Sequence, residues 1–277
     1  MQLTVLVDNN TLVDRYFLAE PGLSLLIEDE ETQVLFDTGY SDIFLKNATK
    51  AGKNLNNLDY LVLSHNHLDH TWGLDPFLKY LTELQIENQN HKSPTLVAHP
   101  DVFTSVSADG FNEFGPLVSK EKMAKHLPLQ LSTLPVSLNS RLTFLGEIPR
   151  KNDFEGSLSF GKKEGITTND HVPDDSALVY KLETGLVIIT GCSHAGICNI
   201  IEYAKEICAD NRIVDVIGGF HLQNPSKHQL DSTIAYFKTL QAQSLHACHC
   251  TDLQSKIALA AVADIEEVGV GLSLNYS

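Results

Sequence analysis

Four side chains able to bind a divalent metal fall within one short run, Ser64-His65-Asn66-His67-Leu68-Asp69-His70. The preceding residues, Asp59-Tyr60-Leu61-Val62-Leu63, are short and apolar, as a buried strand would be. A loop at a strand end can turn alternate side chains to one side. His65 and His67 then point together, and Asp69 and His70 reach a second point. Neutral imidazole and carboxylate suit Zn²⁺ and similar first-row ions. Two such ions about 3.5–4 Å apart can share a hydroxide and clamp both the attacking and the leaving oxygen. In that chemistry Asp69 is both a ligand and a catalytic residue that handles the proton of the leaving group.

The elements that would position these residues read as alternating strands and helices. Short runs rich in Val, Ile and Leu at 3–8, 59–63, 95–98, 142–145, 213–217 and 244–247 predict strands with both faces covered. Helical spacing appears near 41–51, 74–88, 197–209, 226–241 and 252–264. Residues 24–39 and 176–191 echo one another: an apolar strand, a polar turn, a second apolar strand, then Thr-Gly. The echo predicts two half-units, each offering a strand pair that ends in a loop. The class is α/β, with sheets in the middle and helices outside. No linker or boundary divides the chain, so residues 1–277 are expected to form one domain. Residues 99–136 carry Pro100, Gly110, Gly115, Pro116, Pro128 and Pro135 without a long periodic segment, and read as an irregular lid or insert. Its Phe103, Phe111 and Phe114 suit either stacking on a planar substrate or pinning the loop to the core.

Composition excludes several classes. A net charge of −15, from 35 acidic and 20 basic residues and without a basic patch, argues against nucleic acid as a partner. No apolar run has the length of a membrane span, and Met1-Gln2-Leu3-Thr4-Val5-Leu6-Val7-Asp8 reads as a strand and not as a signal peptide. The odd set of five cysteines suits reduced thiols, hence a cytoplasmic protein. The expected partner is a small-molecule substrate, with an oligomer left open.

The His65-x-His67-x-Asp69-His70 run, with Val34-Leu35-Phe36-Asp37-Thr38-Gly39 upstream, resembles the signature of the metallo-β-lactamase superfamily. The resemblance implies an αββα four-layer sandwich, two mixed β-sheets flanked by helices. It implies that Asp37 orients a metal-bound histidine and does not bind metal itself. It implies metal ligands from His65, His67, Asp69, His70 and His249, the last at a strand end before a helix. Many members place a bridging Asp just after a Thr-Gly. Here Thr190-Gly191 is followed by Cys192-Ser193-His194, so His194 is the expected ligand and Cys192 the reserve candidate. His221, in Gly218-Gly219-Phe220-His221-Leu222, stands as a catalytic proton donor or substrate contact, and Asp175 as a possible cleft residue.

Thr190-Gly191-Cys192-Ser193-His194-Ala195-Gly196-Ile197, Gly218-Gly219-Phe220-His221-Leu222, Pro173-Asp174-Asp175 and His249-Cys250-Thr251 together look like the dihydropterin ribofuranosyl-aminobenzene-phosphate synthase-like branch. The expected cofactors are two divalent ions, Zn²⁺ foremost, with Mn²⁺ or Fe as alternatives. The leading expectation is a dinuclear metallohydrolase using metal-bound hydroxide on a phosphorylated, pterin-like or other small molecule. The alternatives are a di-iron redox variant and a non-catalytic protein that binds or senses a small molecule.

Overall fold

The computed structural model describes residues 1–30, 32–165 and 169–277; Glu31, in the turn of the first echo, lies outside the described residues. The chain begins with β1 (Gln2–Val7), β2 (Ser24–Glu28), β3 (Gln33–Phe36), α1 (Ile43–Lys50), β4 (Tyr60–Val62), α2 (Leu68–Thr71), α3 (Leu74–Ile86) and β5 (Thr95–Ala98). A 3₁₀ turn (Pro100–Phe103), β6 (Val106–Ser107), α4 (Lys120–Met123), β7 (Leu129–Leu131) and β8 (Val136–Ser137) follow. Next come β9 (Leu142–Phe144), β10 (Lys162–Lys163), β11 (Ala177–Lys181), β12 (Leu186–Thr190) and α5 (Ile197–Cys208). The chain closes with β13 (Ile213–Gly219), α6 (Lys227–Leu240), β14 (Ser244–Cys248), α7 (Leu253–Ala260) and β15 (Ser273–Asn275).

Two mixed sheets result, ordered β15-β1-β2-β3-β4-β5-β7 and β14-β13-β12-β11-β9-β8. The echo corresponds to a repeated construction. Hairpin β2–β3 is antiparallel and is followed by β4 and β5 in parallel. Hairpin β11–β12 is antiparallel and is followed by β13 and β14 in parallel. Parallel neighbours need crossovers, supplied by α1 and α3 in the first unit and by α5 and α6 in the second. The parallel strands are continuously apolar because both of their faces are covered: all five residues of β12 are buried.

Three apolar layers hold the stack together. Leu25, Phe36 and Val62 of the first sheet pack against Phe144, Leu178, Val187 and Ile217 of the second. Phe44 and Ala48 of α1 and Phe77 of α3 cover the outer face of the first sheet. Ile197, Ile200, Ile201 and Ala204 of α5 cover the outer face of the second with Phe237 of α6 and Leu259 of α7. This order is helix, sheet, sheet, helix.

Within residues 99–136, α4 and β7 form a crossover that adds a parallel strand beside β5. β6 pairs instead with β10 as a separate two-stranded ribbon. α7 ends at Ala260, short of the 264 predicted, and the short strands β6, β7, β8, β10 and β15 carry no sequence pattern that announces them. Among the described residues no helix is long and apolar enough to cross a membrane.

Candidate metal centre

Loops after β3, β4, β12, β13 and β14 converge at one edge of the sandwich. Asp37, Ser193, His221 and His249 stand there with φ of 59°, 61°, 52° and 52°. Left-handed backbone at non-glycine residues costs of order 1–3 kcal/mol each, and it concentrates where surrounding contacts enforce it.

Two groups of donor atoms meet in this edge. His65, His67 and His194 present nitrogens that lie within 4.8 Å of one another. The Nε2 atoms of His65 and His194 are 3.2 Å apart. Asp69, His70 and His249 form the second group. In it the Nε2 atoms of His70 and His249 are 3.2 Å apart, and Asp69 Oδ2 is 3.3 Å from His249 Nε2. Cys192 Sγ lies 3.1 Å from His70 Nε2 and 3.2 Å from His249 Nε2. It also groups with His65 and His70, so its sulfur faces both sets.

The donor set fits divalent metal. Two imidazole nitrogens about 2.0–2.1 Å from a tetrahedral zinc would stand roughly 3.3 Å apart. Both facing Nε2 pairs come close to that spacing. His67 Nε2 is buried with no hydrogen-bond partner among the described residues, which is costly unless something absent from the protein satisfies it.

A shared carboxylate sets the ring orientations. Asp37 Oδ2 lies 2.6 Å from His70 Nδ1 and accepts from Ser64 Oγ at 2.7 Å, while Asp37 Oδ1 accepts from Ser64 N at 2.7 Å. Ser64 Oγ also lies 2.9 Å from His65 Nδ1. With both Nε2 atoms turned to the donor groups, one proton assignment satisfies the network. His70 Nδ1–H donates to Asp37, and His65 Nδ1–H donates to Ser64 Oγ, which donates to Asp37. Gly191 makes room for this: a Cβ there would collide with the Ser64 side chain. His249 is held separately. Its N–H donates to Asp8 Oδ1 at 2.9 Å, and its Nδ1 faces Asn9 Oδ1 at 3.1 Å. Asn66 N–H, between the first two histidines, donates to Asp174 Oδ2, and Asp174 Oδ1 accepts from buried Lys163 at 2.6 Å.

The electrostatics suit cations. Burial, then repulsion from His70, His67 and His194, keeps His65 well below the usual histidine range. Burial also lowers His67, to about 4, and His194 falls for the same reason with His221 beside it. Neutral rings are the form that binds metal. Burial opposes charge on Asp69, but His70 and His249 outweigh it and hold the carboxyl below its ordinary value. Burial likewise opposes charge on His249; the hydrogen bond to Asp69 and the charge attraction of Cys250, Asp69 and Asp8 outweigh it and push the ring up to about 9. The same neighbours make this point of the site favourable to positive charge.

Sequence reasoning anticipated His65, His67, Asp69, His70, His194 and His249, and the structure brings all six together with Cys192. Asp37 lies beneath them. His221 joins neither group: its ring stands 4.4 Å from that of His194, with Nδ1 buried and without a hydrogen-bond partner among the described residues. Asp175 also joins neither, and accepts instead from Ala195 N–H at 2.8 Å, fixing the turn after His194. Burial raises its carboxyl to about 7. Phe114 packs on His67, Phe103 on the core, and Phe111 is exposed.

Phe160 escaped the sequence reading. It packs against His194, His67 and His221, with ring centroids 4.5, 5.7 and 5.2 Å away, yet no spacing marks it. Asp8 and Asn9 carried a faint signal as an acid and an amide at a strand end. A cavity of about 170 Å³ opens beside His194 and His221, lined also by Ser193, Asn224 and Gln229.

Comparison with known proteins places this edge in context. The metallo-β-lactamase superfamily profile matches residues 18–205. An uncharacterised protein of Methanocaldococcus jannaschii is 32% identical over 262 residues, 93% of each chain. A second protein of that organism, 7,8-dihydropterin-6-methyl-4-(β-D-ribofuranosyl)-aminobenzene-5'-phosphate synthase, is 32% identical over 256 residues, 87% of this chain and 84% of that one. The crystal structure of Tm1679, described as a metal-dependent hydrolase of the β-lactamase superfamily, superposes with a TM-score of 0.82 at 28% identity, covering 100% of this chain and 99% of that one.

Proposed function

The chain belongs to the metallo-β-lactamase superfamily, and from that membership we propose that it is a dinuclear metal-dependent hydrolase of a small, phosphorylated or aromatic substrate. The observation that carries the reading is the pair of donor groups sharing one sulfur. His65, His67 and His194 would hold one ion; Asp69, His70 and His249 would hold the other; Cys192 stands where both can share it. Bound divalent ions supply Lewis acidity and a lowered pKa for water at neutral pH. Thiolate and imidazole donors favour zinc or iron over manganese.

The chain's own groups do the rest. Asp37 and Ser64 keep His65 and His70 in the tautomer that turns Nε2 inward. Asp69 accepts a proton at its carboxylate and returns it to the leaving group. His221, with a free Nδ1 beside the cavity, contacts the substrate and donates a proton there. Phe114 and Phe160 wall the site and exclude water. A buried thiol among the donors needs a reducing compartment, which supports the cytoplasm.

A second reading rests on the Methanocaldococcus synthase: the same site could transfer a group to an acceptor other than water. Metal analysis tests the first premise. Purified protein supplied with metal should carry about two transition-metal ions per chain; fewer than one overturns the dinuclear site. Wild type and His67→Ala are then compared on phosphodiesters, cyclic nucleotides, lactones and thioesters. Hydrolysis by the wild type alone supports the proposal. Equal low rates in both favour a binding protein, and turnover only with an added amine or aromatic acceptor favours the synthase reading.

A further inference from the structure

Cys192 and Cys250 are separated by 58 residues in the contact between them, yet they meet at the site. Cys192 follows β12, and Cys250 follows β14. β13 runs between those strands, and its last residue is Gly219. A Cβ on Gly219 would stand 2.5 Å from Cys250 Sγ. The missing side chain lets Cys250 reach across the end of β13. Its Sγ comes to 3.3 Å from the Cys192 carbonyl oxygen. The donor atoms of Cys192, His249 and Cys250 all lie within 4.8 Å of one another. All five cysteines are free thiols. Cys198, Cys208 and Cys248 enter no such group among the described residues.

We propose that Cys192 and Cys250 form a redox modification site, which hydrogen peroxide converts to a disulfide and which thereby withdraws the Cys192 sulfur from the two donor groups. The effect on metal rests on the ligand set proposed above. Cys250 is the less buried residue of the two, and we place the first oxidation on its sulfur. The Cys250 sulfur attacks one peroxide oxygen, the O–O bond breaks, and a sulfenic acid and water form. The Cys192 sulfur then attacks the Cys250 sulfur, the S–O bond breaks, and a second water leaves. Two thiols and one peroxide become one disulfide and two waters; the sulfurs lose two electrons and the peroxide gains them. Bond formation needs the sulfurs, now within 4.8 Å of each other, to close to about 2.05 Å. A disulfide sulfur is a poor metal donor compared with thiolate, so the oxidised site loses the donor common to both groups.

The test treats reduced, metal-free protein with equimolar hydrogen peroxide, then maps peptides by mass spectrometry. The expected product is a Cys192–Cys250 cross-linked peptide lacking two hydrogens, with the free-thiol count down by two and restored by a thiol reductant. Cys250→Ser should form no cross-link, and Cys208→Ser should form it as the wild type does. Zinc bound beforehand should slow the cross-link, and cross-linked protein should bind zinc at least about tenfold more weakly. A different cysteine pair, sulfinic acid at Cys250 without a cross-link, or cross-linked protein that binds zinc as tightly as reduced protein overturns the inference. Reduced protein that binds no zinc overturns the proposed function instead, while the cross-linked peptide still supports the modification site.

Discussion

Strands β2 to β5 and β11 to β14 each run as a hairpin followed by two parallel strands, with helices crossing between. The two units arm their strand ends differently. In the first, the segment from the loop after β4 into α2 carries His65, His67, Asp69 and His70, while the end of β5 supplies His99, which enters neither donor group. In the second, Cys192 and His194 follow β12, His221 follows β13 and His249 follows β14. Four donors within six residues are neighbours already, and one carboxylate beneath them, Asp37, can orient two. Donors spread over several loops must each be aimed alone. Ser193, His221 and His249 stand in left-handed backbone, as Asp37 does in the first unit, and His249 has its own anchors in Asp8 and Asn9.

The largest effect should come from removing one donor from each unit. His67→Ala and His194→Ala should each lower turnover on the order of 10³-fold, because several kcal/mol of Lewis-acid stabilisation is lost and each 1.4 kcal/mol is tenfold. Steady-state kinetics with metal analysis reads this. A mild His194→Ala would mean that the first unit holds its ion unaided. Next in size is Asp37→Asn, expected to weaken metal binding about 10–100-fold at both places. Asn9→Ala should weaken only the ion that His249 is proposed to hold, and by about tenfold at most. Competition titration with a chromogenic chelator compares the two variants. Equal losses would break the contrast between shared and separate support.

The smallest effect concerns how the second unit seats its helix. Glu155 comes from outside that unit and accepts from the N–H groups of Cys198 and Asn199 in the first turn of α5. Glu155→Ala should cost about 1 kcal/mol in urea unfolding, as loss of a helix cap does. Burial raises the Glu155 carboxyl above its ordinary 4.5, with bonds from Asn152, Asn199 and Cys198 working against it. A raised carboxyl means that the folded protein keeps a proton which the unfolded chain releases. That contribution is complete below the unfolded value and is lost as pH rises through the folded one. Wild type should therefore lose stability relative to Glu155→Gln as pH climbs from 4.5. A difference independent of pH would show that burial does not govern this carboxyl.

The same contrast explains what could be read from residue order. The first unit's chemistry was legible because its four donors fall within six residues, and the strands and crossover helices because their apolar runs and spacing are regular. His194 and His249 required the resemblance as well, since each is a solitary histidine in its loop. Phe160 was invisible: it lies on an irregular segment, and only the folding of that segment over His194 gives it a role. Ser64 was written inside the motif, but its function depends on where Asp37 falls, just past the end of β3 and one crossover away. The short strands β6 and β10 owe their existence to each other and not to any periodicity of their own.

Asp37 has one more consequence. A single oxygen, Oδ2, receives His70 directly and His65 through Ser64, and those rings belong to different donor groups. An ion bound at either ring would polarise its N–H toward this oxygen, so the two donor groups would be coupled through one acceptor. Such influence is reciprocal by thermodynamic necessity. Metal uptake at the two groups should then depart from two independent steps, and Asp37→Asn should bring the two affinities closer to independence in a metal titration.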